Sequence, residues 1–243
     1  MSAARHDIPV TREWMRAGEA FFAGQLATLG DGDLDGPSAL PGWERRKLAA
    51  HVARNAEALL RLVRWADTGV ETRMYGDPDQ RGRDIEATSG QSAAELRADV
   101  QRAAAELADA MAKLPDERWQ ATVLSALGRT IPAAEVPWMR CREVWLHSLD
   151  LAAGATPGDL PLPFAEELVD ELAGYMSAQP SAPETELASI ADGRRWHIDG
   201  PAATGQPLLV RGDPRELAAW LTGRTYDRSA LQADDLPQLP NWL

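Results

Sequence analysis

The chain has 243 residues, 44% of them hydrophobic and 26% charged, with a formal net charge of −12. That is enough for one large or two modest globular domains, and so acidic a surface excludes nucleic acid or an anionic membrane as the main partner. The single cysteine, Cys141, excludes an intramolecular disulfide and fits a reducing cytoplasm. Met1 to Thr11 is polar and lacks the apolar core of a secretion signal, and no run approaches the roughly 18–20 apolar residues of a membrane span. The expected location is cytoplasmic.

Thr11 is a plausible cap for a first helix running to about Leu29. Met15, Phe22, Leu26 and Leu29 recur at helical spacing along it. Gly30-Asp31-Gly32-Asp33 stops it. Trp43 to Asp67 reads as a second helix with Leu48, Val52, Leu59 and Val63 on its apolar stripe. His51 and Asn55 sit on the flank of that stripe, where a helical bundle presents polar groups to its core. Val70 to Gly90 is polar and irregular and reads as a functional-length loop or a plain surface connection. Ser92-Ala93-Ala94-Glu95 matches a capping box. Behind it Leu96, Val100, Ala103, Leu107, Met111 and Leu114 mark the clearest amphipathic helix of the chain. Trp119 to Ile131 reads as an extended excursion around a Gly128-Arg129-Thr130 turn. Pro132 then opens a fourth helix that closes at Gly154.

Four helices without a convincing long strand predict an antiparallel four-helix bundle. Ala155 to Pro163 reads as a linker. Phe164 to Gln179 is helical. Leu187–Ile190 and Arg194–Ile198 flank Asp192-Gly193 as a hairpin, Pro207–Arg211 is a third strand candidate, and a short helix runs from Asp213-Pro214 to Gly223. The expected fold class is therefore α+β in two domains: a four-helix bundle over 1–158, then a small α+β domain over 159–243. No internal repeat or low-complexity segment interrupts this order.

The fourth helix holds the chemistry. Glu143 and His147 are four residues apart, hence about 40° apart on one face. Buried charge needs a partner or a metal. One reading is a Glu143–Arg pair beside a satisfied core histidine; the other is a metal site. Catalytic zinc takes three protein ligands and keeps one position open, and two His with one Glu form an accepted set. With only four histidines in the chain, His51 can complete it. Cys141 lies about 160° from Glu143 around the helix, so it faces elsewhere, as a small core residue.

The segments Leu40-Pro41-Gly42-Trp43, Ala50-His51-Val52-Ala53-Arg54-Asn55, Trp65-Ala66-Asp67-Thr68-Gly69, Gly128-Arg129-Thr130, and Trp138-Met139-Arg140 through Arg142-Glu143-Val144-Trp145 to His147 resemble the mycothiol-dependent maleylpyruvate isomerases, part of the DinB-like superfamily of metal-binding four-helix bundles. The resemblance spans nearly the whole chain, through Arg224 to Trp242-Leu243, and is thin between about 160 and 220. It implies zinc, or another divalent metal, on His51, Glu143 and His147. Cys141 stands where the family pattern has Ser.

The resemblance further implies isomerisation of maleylpyruvate to fumarylpyruvate in gentisate breakdown, with mycothiol as thiol cofactor. A thiolate adds to the conjugated alkene, the resulting single bond rotates, and elimination gives the trans product. The implied partners are mycothiol and a small dianionic substrate, with no nucleic acid, no membrane and a monomeric chain. Two carboxylates call for arginines. Arg224 matches an arginine of the family's site and is expected to reach in from the small domain; Arg81, in the long loop, is the second candidate. A DinB-like mycothiol S-transferase acting in detoxification needs the same metal and thiol, and a non-enzymatic metal-binding module needs only the bundle.

Overall fold

A computed structural model describes residues 4–200, 207–224, 227–234 and 236–242. The chain separates into two compact units, Met1–Ala155 and Thr156–Leu243.

The first unit contains α1 (Ile8–Thr28), α2 (Arg45–Thr68), α3 (Gln80–Ser89), α4 (Ala93–Lys113) and α5 (Val136–Asp150). A two-stranded antiparallel hairpin, β1 (Thr122–Leu124) and β2 (Thr130–Pro132), precedes α5. Helix α2 packs on α4 and α5, and α1 packs on the same two helices. Their apolar stripes meet in one core: Met15, Phe22 and Leu26 from α1, Leu48, Val52, Leu59 and Val63 from α2, Leu96, Val100, Leu107 and Met111 from α4. The i, i+3, i+4 spacing of these residues is what lets each helix bury a single face.

Gly18 sets how closely α1 approaches α5. A Cβ there would fall 2.5 Å from Val144 Cγ2 and 2.8 Å from Trp145 Nε1. At the other end of α5, Arg45 in the first turn of α2 donates to Leu151 O (3.0 Å) and Ala152 O (3.1 Å). A guanidinium on the free carbonyls of a helix C-terminus satisfies them and suits the helix dipole. The start of α2 is thereby tied to the end of α5.

Several expected boundaries are corrected. Helix α1 starts at Ile8, capped by the Asp7 carboxylate, which accepts from Val10 N at 3.1 Å. Thr11 lies inside it, and its hydroxyl donates back to Asp7 O. Helix α2 starts at Arg45 rather than Trp43. The segment 70–90 is not a loop throughout, because nearly half of it is α3. Only Ile85, Thr88 and Ser89 of α3 are buried, so it has almost no apolar stripe to read. It is held by packing on α2 and by Arg46 Nη1 donating to Ser89 O at 2.8 Å. Pro132 opens a single 3-10 turn, Ala133–Glu135, and α5 follows from Val136.

The second unit contains α6 (Leu162–Ser177), β3 (Thr185–Ser189), β4 (Arg195–Ile198), β5 (Leu208–Gly212) and α7 (Pro214–Leu221). The strand order is β4-β3-β5, with β4 antiparallel and β5 parallel to β3. Leu187 sits opposite both Trp196 and Val210, so the central strand carries the buried centre of the sheet. Helix α6 packs on β4 and on α7. The expected linker over 155–163 is partly structured: Thr156 and Asp159 cap a turn at Pro157–Asp159, and α6 begins at Leu162. Among the described residues no helix is long and apolar enough to cross a membrane.

Candidate metal centre

His51 is carried by the second turn of α2; Glu143 and His147 are carried by α5. The three side chains converge. His51 Nε2 lies 3.0 Å from Glu143 Oε2 and 3.1 Å from His147 Nε2, and His147 Nε2 lies 3.3 Å from the same Glu143 oxygen. Three donors at about 2.1 Å around one tetrahedral ion would be separated by about 3.4 Å, so this donor set fits a divalent cation with little rearrangement. His51 is buried, whereas 30% of the Glu143 side chain stays exposed, so the cluster is reached from outside.

The surroundings differ for the two histidines. His147 Nδ1 lies 2.8 Å from Asp150 Oδ2, and Asp150 is only 1% exposed. His51 Nδ1 faces Arg81 Nη2 at 3.3 Å, and the Trp43 ring meets the His51 imidazole edge-on at 6.0 Å. Tyr75 is hydrogen-bonded to Arg81, and burial pushes its phenol pKa up.

These environments separate the proton affinities. Burial lowers the His51 pKa. Burial also disfavours charged His147, but the Asp150 and Glu143 carboxylates outweigh it and raise that pKa above the usual 6.5. Burial alone would raise Glu143; the two imidazoles hold it well below the usual carboxylate range instead. A cation must displace the proton from any ligand that carries one. Cation affinity is therefore expected to fall as pH falls, beginning above 6.5 where His147 takes up its proton, with His51 and Glu143 not competing there. Zinc competition titrations at a series of pH values check this, and a flat affinity down to acid pH would remove His147 from the ligand set.

Four of the five residues singled out in the sequence share the first unit. His51, Glu143 and His147 form the cluster, and Arg81 adjoins it from the first turn of α3. Arg224 belongs to the second unit, just past α7, where Nη1 donates to Thr222 O at 3.0 Å. The sequence reading missed Asp150 and Tyr75. Asp150 had a readable signal, since it stands three residues after His147 on the same helical face. Tyr75 had none, because it precedes α3 in an irregular stretch.

Cys141 takes no part. It is fully buried, its thiol donates to Thr11 O at 3.1 Å, and burial pushes its pKa far up. An un-ionised thiol is a poor nucleophile. Cys141→Ser is expected to keep full turnover and to change stability by no more than about 1 kcal/mol, since a hydroxyl can donate to the same carbonyl. Kinetics and thermal melting of the variant check this.

Fold and site together define a helix-rich α+β protein with a two-histidine, one-carboxylate cluster of the type that holds a catalytic divalent cation. Residues 15–152 match the model of the mycothiol maleylpyruvate isomerase N-terminal domain. Two crystal structures resemble the whole chain: the mycothiol-dependent maleylpyruvate isomerase, at 34% identity with a TM-score of 0.90, and a histidine-to-alanine mutant of a mycothiol-dependent maleylpyruvate isomerase, at 33% identity with a TM-score of 0.89. Each similarity covers 100% of both chains. Among curated proteins none matches. The chain belongs to the mycothiol-dependent maleylpyruvate isomerase family.

Proposed function

We propose that the protein is a zinc-dependent, mycothiol-dependent cis-trans isomerase converting maleylpyruvate to fumarylpyruvate in gentisate degradation. The observation that carries this reading is the convergence of His51, Glu143 and His147, with atoms 3.0–3.3 Å apart, in a chain of this family. The first unit is read as an antiparallel DinB-like four-helix bundle of α1, α2, α4 and α5 and the second as a small α+β domain, with the chain acting as a cytoplasmic monomer.

His51, Glu143 and His147 are the residues that hold the ion. When bound, it supplies the positive charge that keeps the mycothiol sulfur as a thiolate. The chemistry the chain must assist is simple in balance. A C–S bond forms, the alkene π pair moves into the conjugated carbonyl as an enolate, and the former double bond rotates. The pair then returns, the C–S bond breaks, and the thiolate is regenerated. Arg81, beside the cluster, and Arg224 are proposed to bind the substrate carboxylates and to place positive charge where the enolate oxygen develops. Cys141 cannot replace the external thiol, being buried and bonded to Thr11 O.

The test is to incubate the zinc-loaded protein with maleylpyruvate, with and without mycothiol, and follow the absorbance of the conjugated product. Turnover only with both zinc and mycothiol is expected. Turnover without thiol overturns the mechanism, and thiol conjugates accumulating in place of fumarylpyruvate make the protein a transferase.

A further inference from the structure

We propose that Asp150 is a positioning residue of the cation site, fixing His147 with its proton on Nδ1 and its Nε2 lone pair aimed at the ion. This rests on the metal reading above and concerns which residue makes that cluster ready to bind.

Three observations carry it. First, the Asp150 carboxylate is 1% exposed, and a carboxylate taken out of water needs a strong partner. Its Oδ2 has one in His147 Nδ1 at 2.8 Å. Second, the ring nitrogen facing Asp150 is the one pointing away from the cluster, while Nε2 is the one 3.1 Å from His51 Nε2 and 3.3 Å from Glu143 Oε2. A carboxylate accepts and never donates, so Nδ1 must carry the hydrogen, and that leaves Nε2 as the electron-pair donor. Third, Asp150 is fixed by its backbone. It ends α5, its carbonyl accepts from Ala39 N at 2.8 Å, and the next two carbonyls are held by Arg45 from the helix that carries His51.

His51 lacks this arrangement at its outer nitrogen, where Arg81, a donor only, stands at 3.3 Å. The Asp150 carboxylate therefore acts on His147 and not on His51. Carboxylates behind metal-bound imidazoles typically contribute 10–100-fold to affinity by fixing tautomer and ring orientation.

The experiment measures zinc affinity by competition with a chromophoric chelator, with thermal melting in the absence and presence of zinc. Parent, Asp150→Asn, Asp150→Ala and His51→Ala proteins are compared. Asp150→Ala is expected to bind zinc on the order of 10–100-fold more weakly. Asp150→Asn, which keeps the shape and one acceptor but loses the charge, falls between it and the parent. The zinc-induced rise in melting temperature should shrink in the same order, whereas a merely structural role would lower both melting curves together and leave the rise intact. Should Asp150→Ala not fold, the nearly isosteric Asn variant decides. Parent-like zinc affinity in the Asp150 variants, with His51→Ala defective, overturns the positioning role and leaves the metal site standing. Parent-like affinity in His51→Ala as well overturns the metal site itself.

Discussion

His51→Ala is expected to lose bound zinc and to lower turnover by on the order of 10³-fold or more. The imidazole is the cluster's one donor from α2, and its Nε2 stands 3.0–3.1 Å from both donors on α5. Without it two donors remain, on one helix, too few for the three-ligand site that catalytic zinc uses. The effect on folding is expected to be smaller. The core stripe of α2, Leu48, Val52, Leu59 and Val63, is untouched and fully buried. The deletion also removes a buried imidazole whose charged form the fold disfavours. Far-UV circular dichroism should thus stay helical while metal analysis shows the loss. A variant with full zinc content and full turnover would show that the cluster is an internal hydrogen-bonded network and that the chemistry lies elsewhere.

The cluster was legible in the sequence because helical geometry is local and regular. Glu143 and His147 share a face by spacing alone, and with four histidines in the chain the third ligand had few sources. The long amphipathic helices were legible for the same reason: each buries one stripe over five or more turns. Helix α3 was hidden because it has ten residues and one buried large apolar side chain, Ile85. Its stability comes from packing on α2, a tertiary effect that periodicity does not report. Arg140 shows the same limit. On α5 it reads as a charge on a helix, yet it is fully buried, paired with Glu19 at 3.1 Å and donating to Val52 O at 2.8 Å and Asn55 Oδ1 at 3.0 Å. Those partners lie 121, 88 and 85 residues away, and no local pattern connects them. In the second unit the hairpin turn at Asp192-Gly193 was readable from residue type, but the parallel pairing of β5 with β3 is a non-local contact that no local pattern marks.

Arg224→Ala is expected to lower kcat/KM by on the order of 10–100-fold while zinc content stays that of the parent. A protein with a net charge of −12 must meet a dianionic substrate with local positive charge. The backbone of Arg224 is well fixed. Gly223 takes a left-handed conformation, φ +77°, at the end of α7. Gly223 N donates to Trp220 O at 3.0 Å and Arg224 N to Ala219 O at 2.7 Å, the double bond pattern that closes a helix. Its side chain is also partly restrained, with Nη1 on Thr222 O at 3.0 Å. A guanidinium already held in place loses less entropy on binding a carboxylate. A charge-assisted contact of this kind contributes about 1.5–3 kcal/mol, which corresponds to the stated fold-change. If Arg224 only binds substrate, KM should rise with kcat nearly unchanged; if it also stabilises the enolate, kcat should fall too. Arg224→Lys separates charge from shape, since a lysine keeps the charge but not the two-pronged geometry, and partial activity is expected from it. Unchanged kinetics in Arg224→Ala would move the role to Arg81, whose guanidinium already stands 3.3 Å from His51.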